Sequence, residues 1–483
     1  MRANLVSQST AENLGSLESR RTHTPSDSLL RILNGLFYAF MWLGLLWILL
    51  GNLPVRLTIP FGDSELREID LVVFGFLSLW ALRVVLRGRI PSPGMNWPIY
   101  SIVLLLLIPV SVGLAVGKPV ATVLRDVRIP IYYATMLPML DVLRNHVDLR
   151  RLERFIVVVG LVSMLTSIGL WFVSRFTSSS ELLQQRYGIA SLNIMGTWLL
   201  FLAVASILFT DAGATGRRWT GVLVGLGLIQ TYVASDGRST YVGVCAGLLF
   251  LVGAPWLWYR RNRLAAKLRQ RWIKWGVVVS GLLLALMTLI GIGMVWSDLD
   301  VRDVVKNNMT LRRFYSLVDP TIEENGAQNR EDRFLALSYG FELGIRNYGL
   351  GLGYGDNPFV DLNQNQIDGL INRNQREGNS GNVVEGLLFY HNSFGWTFAR
   401  LGLWLAMVYF FLVGAFVVHA WRSAWQTKLV GLRVFLFATL AFVIATLISG
   451  FGGPFFFDYF GYNMVFWLIA LTVLLHGVSL ARE

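Results

Sequence analysis

Residues 392–418 read NSFGWTFARLGLWLAMVYFFLVGAFVV, an apolar run in which Arg400 is the one charged side chain. A helix rises about 1.5 Å per residue, so about 20 apolar residues cross a hydrocarbon core about 30 Å thick. This run is long enough. Similar runs extend outward from it, at 433–450 and 462–478 downstream. Upstream they lie at 29–50, 69–87, 98–117, 124–143, 153–174, 191–210, 219–235, 239–258 and 275–297. Residues 219–258 approach one continuous segment, but Asp236, Gly237 and Arg238 break them into a tight hairpin. The expected fold class is all-α, a polytopic integral membrane bundle of about twelve transmembrane helices.

Composition agrees. The chain is 54% hydrophobic and 15% charged, where a soluble chain carries about a quarter charged residues. A water-soluble protein would have nowhere to put that apolar surface. The net charge of +12 raises the question of a polyanionic partner, and the placement of the charge answers it. With the N-terminus inside, the cytoplasmic segments hold 24 Lys and Arg and the short outer loops 8. The richest segment contains Arg260, Arg261, Arg263, Lys267, Arg269, Arg271 and Lys274. That excess puts both termini in the cytoplasm and residues 298–390 outside. The basic balance is a topology signal, and no nucleic-acid partner is expected.

Four segments follow: a disordered polar tail (1–28), nine helices (29–297), a long outer loop (298–390) and three final helices (391–483). No cleavable signal peptide is expected. The single cysteine, Cys245, leaves no disulfide or Cys-based metal site within the chain.

A loop of this length between membrane helices is uncommon unless it is functional. Within it, Phe334, Leu337, Phe341, Ile345 and Tyr348 recur at helical spacing. An amphipathic helix over 331–348 is expected, packed on the membrane surface or on the bundle. Gly349, Gly351, Gly353 and Gly355 follow, and read as a turn that carries a flap over the membrane surface. They lack the Lys-Ser/Thr of a phosphate loop. The flap itself, 361–381, is rich in Asn, Gln and Gly.

Several side chains could carry chemistry. Arg238, in Ser235-Asp236-Gly237-Arg238-Ser239, falls at an outer boundary. Its guanidinium fork suits phosphate oxygens, and equally it could snorkel to lipid headgroups. Arg186 precedes the helix that contains Asn193, and Arg125 and Arg128 lie on the preceding outer loop. These are phosphate ligands or solvated charges. His391, with Asn392, enters the 392–418 helix, and of the five histidines it alone is expected at the outer surface. An imidazole there acts as a base near neutral pH or simply caps the helix. Gly395 and Gly402 fall on the same side and would permit close helix approach. Arg400, half a circle away on a continuous helix, should face the bundle or a partner. Asp298-Leu299-Asp300 is an Asp-x-Asp of the kind that holds a divalent metal, but such short patterns recur by chance.

Taken together these residues resemble the O-antigen ligase and polymerase family. The resemblance rests on Arg186 ahead of Asn193, Ser-x-Gly-Arg-Ser at 235–239, and the helix from Arg333 that ends in Gly-Leu-Gly-Tyr-Gly at 351–355. His391-Asn392 before Arg-Leu-Gly-Leu at 400–403 completes it, and the whole covers about residues 185–420. It implies a metal-independent inverting glycosyltransferase of the bacterial inner membrane, without cofactors, whose long loop is periplasmic. The implied donor is a glycan on undecaprenyl diphosphate, and the acceptor the lipid A core or a nascent glycan. Arg186 and Arg238 would hold the diphosphate and His391 would activate the acceptor hydroxyl, with Arg125, Arg128, Asn193 and Asn392 in support. Asp236-Gly237, where many members have an uninterrupted Ser-Arg, and the Asn/Gln-rich flap depart from the family pattern. A lipid-linked-glycan flippase, or a noncatalytic part of an export system, is the alternative. A flippase would predict an internal repeat and short outer loops.

Overall fold

The computed structural model describes residues 32–33, 35–39, 42–43, 58–61, 64–87, 107–120, 122–124, 138, 154–155, 157–162, 164–166, 168–169, 189–210, 214–234, 238–262, 326–355, 393–427 and 430–450. These are predominantly helical. The helices are α1 (Glu68–Arg87), α2 (Ile189–Phe209), α3 (Ala214–Ala234), α4 (Arg238–Asn262), α5 (Gly326–Gly349), α6 (Ser393–Gln426) and α7 (Val430–Ser449). One departure from the all-α expectation precedes α1, an antiparallel hairpin of β1 (Thr58–Phe61) and β2 (Ser64–Arg67). Phe61 pairs with Ser64, and the intervening Gly62-Asp63 is a sequence that two-residue hairpin loops favour.

Two helices are long and apolar enough to cross a membrane, Phe394–Gln426 and Val430–Ser449, and Val157–Thr166, Gly196–Phe209 and Val242–Ala254 are shorter apolar helices. The expected spans at 275–297 and 462–478 lie outside the described residues. Large apolar side chains are exposed on several helices, among them Leu71, Phe74, Val85, Trp219, Leu249 and Phe411, and so many exposed apolar side chains suit lipid contact.

At the centre stands α7. Its residues from Val434 to Val443 are all buried, and α2, α4 and α6 pack around it. Phe437 is fully buried, stacked on Phe209 at 4.5 Å and met edge-on by Trp425 at 4.7 Å. Trp198 of α2 closes on Phe435 at 5.5 Å. Small residues set the closest approaches. A Cβ on Gly247 of α4 would lie 2.8 Å from the Ala441 carbonyl oxygen, and one on Gly243 would overlap the Ala445 carbonyl. In lipid, where apolar side chains gain little by clustering, such backbone contact supplies the dispersion energy that holds helices together.

The break at 235–237 falls where the sequence places it, since α3 ends at Ala234 and α4 opens at Arg238. The tight hairpin does not follow. α3 packs along α2 while α4 packs along α7, and the two are not packed along one another. The glycines decide this. Gly227 of α3 sits against Leu200 of α2, whereas Gly243 and Gly247 of α4 face α7.

Candidate functional site

Four helix ends converge at one end of the bundle. Gly196 of α2 meets Gln230 of α3, and Gly227 meets Leu200, so these helices are antiparallel. The start of α2, with Asn193, therefore lies beside the end of α3. Three residues separate Ala234 from Arg238, which limits the gap between α3 and α4 to about 14 Å. Gly243, in the second turn of α4, touches Ser449 at the end of α7. The starts of α2 and α4 thus share a neighbourhood with the ends of α3 and α7. Helix starts present unpaired N–H groups and a positive dipole end, which favour anions.

The start of α6 is folded back along the rest of that helix. On a straight helix Phe394 and Phe410 would stand about 24 Å apart. Their rings are instead stacked with centroids 5.2 Å apart. The reversal is at Gly402, with φ 73° and ψ 171°, a combination essentially confined to glycine. α6 is therefore two helices, a short N-terminal arm to Leu401 and a longer one from Leu403.

The reversal exposes backbone groups, and the glycine run satisfies them. In a continuous helix the Ala399 carbonyl would accept from Leu403; here it accepts from the Leu352 amide at 2.9 Å. Two residues on, the Tyr354 amide donates to the Pro109 carbonyl at 3.0 Å. The alternating glycines face the same two neighbours. A Cβ on Gly351 would lie 2.6 Å from the Gly402 nitrogen, and one on Gly353 would lie 2.6 Å from the Gly113 nitrogen. Residues 349–355 thus form a non-helical, repeatedly bent strap between α6 and the helical residues 107–115, with Leu352 and Tyr354 buried. Non-helical backbone within an apolar scaffold is tolerated where protein covers it and satisfies its polar groups. The run was expected as a turn at the surface; it does turn, but residues 351–354 are buried between helices.

α5 leads into the strap. Its helix ends at Arg346, with Asn347 and Tyr348 in the left-handed region. The Asn347 side-chain amide donates to the Gly351 carbonyl at 2.8 Å, and the Trp404 indole donates to the Tyr348 carbonyl at 3.0 Å. α5 packs on the bundle along the short arm of α6, where Gly340 meets Gly395 and Gly344 meets Phe398. The close approach expected at Gly395 is observed. The close approach expected at Gly402 is to the strap rather than to a second helix.

Of the residues singled out in the sequence, Arg238 opens α4 and Asn193 sits in the first turns of α2. Arg125, Arg128, Arg186, His391, Asn392 and Asp298-Leu299-Asp300 lie outside the described residues, as do the flap and both chain ends. Arg400 is buried, with its guanidinium 5.2 Å over the Trp396 ring, which agrees with its inward placement. Sequence reasoning missed the strap and its partners Gly113, Asn347 and Trp404. The repeated glycines were the available signal, because all four adopt the positive φ that glycine alone takes readily. Among the described residues no group of three or more His, Cys, Asp or Glu is arranged to hold a metal ion. No protein-family profile matches the chain, and no curated protein matches it.

Proposed function

We propose that the chain is a multi-pass inner-membrane glycosyltransferase of the O-antigen ligase and polymerase type. It moves a glycan from an undecaprenyl diphosphate donor to an acceptor sugar at the periplasmic face. The observation that carries this reading is the meeting of the α2 and α4 starts at one end of the bundle, with Arg238 as the first residue of α4. A cation at that position adds to two helix dipoles that already favour an anion.

In the proposed reaction the acceptor hydroxyl oxygen attacks the anomeric carbon of the donor with inversion. The bond from that carbon to the diphosphate oxygen breaks, and the electron pair leaves with undecaprenyl diphosphate. Arg186 and Arg238 stabilise the charge gathering on the departing diphosphate, a task that fixed guanidiniums perform without a metal. His391 takes the hydroxyl proton as the new bond forms. The two apolar helices and the lipid-suited exterior support membrane placement. Twelve spans, cytoplasmic termini and a periplasmic loop belong to the proposal, and rest on the apolar runs and on the placement of Lys and Arg.

The test is surface glycan in cells carrying Arg238→Ala or His391→Ala, with membrane protein level measured in parallel. The expected outcome is loss of the glycan from both strains at normal protein abundance. Normal glycan in both would refute the catalytic reading and leave a noncatalytic component of an export system.

A further inference from the structure

The exposed side of α5 carries an apolar strip at the edge of its contact with the bundle, where the Phe341 ring meets Phe398 of α6 edge-on at 5.4 Å. At 100° per residue, Gly340, Leu343 and Gly344 form the side against α6, and all three are buried. Next around the helix come Phe341 and Ile345, 43% and 50% exposed. Beyond them lie Glu342 and Arg346, paired at 3.4 Å on the outer side. The order is bundle, apolar strip, charge. Tyr348, 98% exposed, continues the strip past the helix end.

A second exposed stripe runs down the long arm of α6 through Trp404, Met407, Val408, Phe411 and Val418. These positions fall on one side of the helix, over about 21 Å. The two stripes meet at the hydrogen bond from the Trp404 indole to the Tyr348 carbonyl. An apolar surface therefore passes from a helix long enough to cross a membrane onto α5, through a Tyr–Trp pair.

We infer that the Phe341–Ile345–Tyr348 face of α5 is a lipid-contact surface lying in the interfacial zone of the bilayer, with Trp404 beside it. Tyr and Trp concentrate at that zone because they combine an apolar ring with a polar group that reaches water. An apolar strip edged by an ion pair suits a helix immersed to headgroup depth. The occupant is lipid because this strip continues the stripe on α6, whose length and composition suit the hydrocarbon core. α5 and the strap would then hold the mouth of the proposed site at the membrane surface, where a lipid-linked donor arrives.

The inference rests on the membrane reading of α6, and its test separates the two. Spin labels are placed at Phe341→Cys, Ile345→Cys, Glu342→Cys and Val408→Cys in the full chain carrying Cys245→Ala. The protein is reconstituted into phosphatidylcholine–phosphatidylglycerol bilayers. Each label's collisions with oxygen, which concentrates in lipid, are compared with those of a neutral nickel chelate, which stays in water. Labels at 341, 345 and 408 are expected to favour oxygen severalfold, and the label at 342 the nickel chelate. Lipid exposure at 408 with water exposure at 341 and 345 would overturn this inference alone. Water exposure at all four positions would overturn the membrane reading with it. Low collision with both reagents at 341 and 345, with dipolar broadening between labels, would assign the face to a second copy of the chain and equally overturn the inference.

Discussion

Gly402→Ala should be among the most damaging single-methyl additions in the described structure, and the reasons are separable. The φ of 73° with ψ of 171° lies where residues with a Cβ are held at a cost of about 1–3 kcal/mol. The added methyl would also overlap the Leu350 carbonyl carbon and stand 2.6 Å from the Gly351 nitrogen. That neighbour is backbone, pinned by the Leu352–Ala399 hydrogen bond, so it cannot rotate aside as a side chain would. Overpacking of this kind costs about 1–3 kcal/mol more. The sum, about 2–6 kcal/mol, is a large part of the roughly 5–15 kcal/mol that holds a domain together. Gly414 on the same helix is the matched control, because a Cβ there meets nothing within 4 Å. Gly414→Ala should gain about 0.5–1 kcal/mol from backbone entropy. Both variants are purified in detergent and unfolded with increasing dodecyl sulfate, followed by tryptophan fluorescence. Equal stability of the two would refute the fold-back at Gly402 and the strap that crosses it.

Phe437→Ala empties a fully buried site among Phe209, Trp421 and Trp425 and should cost about 3–5 kcal/mol. In the same unfolding assay Phe411→Ala, on the exposed stripe, should stay within about 0.5 kcal/mol of the parent. Arg433→Met removes the guanidinium that donates to the Thr427 carbonyl at 2.6 Å, beyond the end of α6. Loss of that charge-assisted bond should cost about 1.5–3 kcal/mol, and Arg433→Lys should recover part of it. If the proposed chemistry is right, glycan transfer by the purified protein should continue at an unchanged rate in excess chelator. A loss restored by added divalent cation would remove Arg186 and Arg238 as the charge-stabilising groups.

The α5 helix shows what a hydropathy pattern reads and what it leaves open. The apolar period over 331–348 located a helix, and α5 spans Gly326–Gly349. Whether its apolar face meets the membrane surface or the bundle, the pattern leaves open. Phe341, Ile345 and Tyr348 are exposed, while Gly340, Leu343 and Gly344 make the contact. In water the apolar stripe of a helix turns inward. Beside lipid that rule lapses, and small residues that admit close backbone approach take the interface. Glycine scores as nothing on a hydropathy profile, so the packing face left no mark there. The candidate site was legible in part. Arg238 at the start of α4 follows from the polar break at 235–237, and Asn193 at the start of α2 follows from the run beginning at 191. Which helices would bring those starts together was not legible, because α3 and α4 adjoin in sequence yet pack on different partners.

The amino-acid sequence alone determined that this chain is built from apolar helices, where most of the described ones begin and end, and that its exterior suits lipid. Those properties are sums over neighbouring residues, so a local reading suffices. Tertiary structure alone decided that α6 reverses at Gly402, that residues 349–355 run as a buried strap and that α4 turns from α3 to α7. The first two depend on a Cβ being absent from two segments far apart in the chain, Gly351 with Gly402 and Gly353 with Gly113, and the third on Gly243 and Gly247 meeting the carbonyls of Ala445 and Ala441. A single missing Cβ is visible in sequence. The match between two of them exists only once the chain has folded.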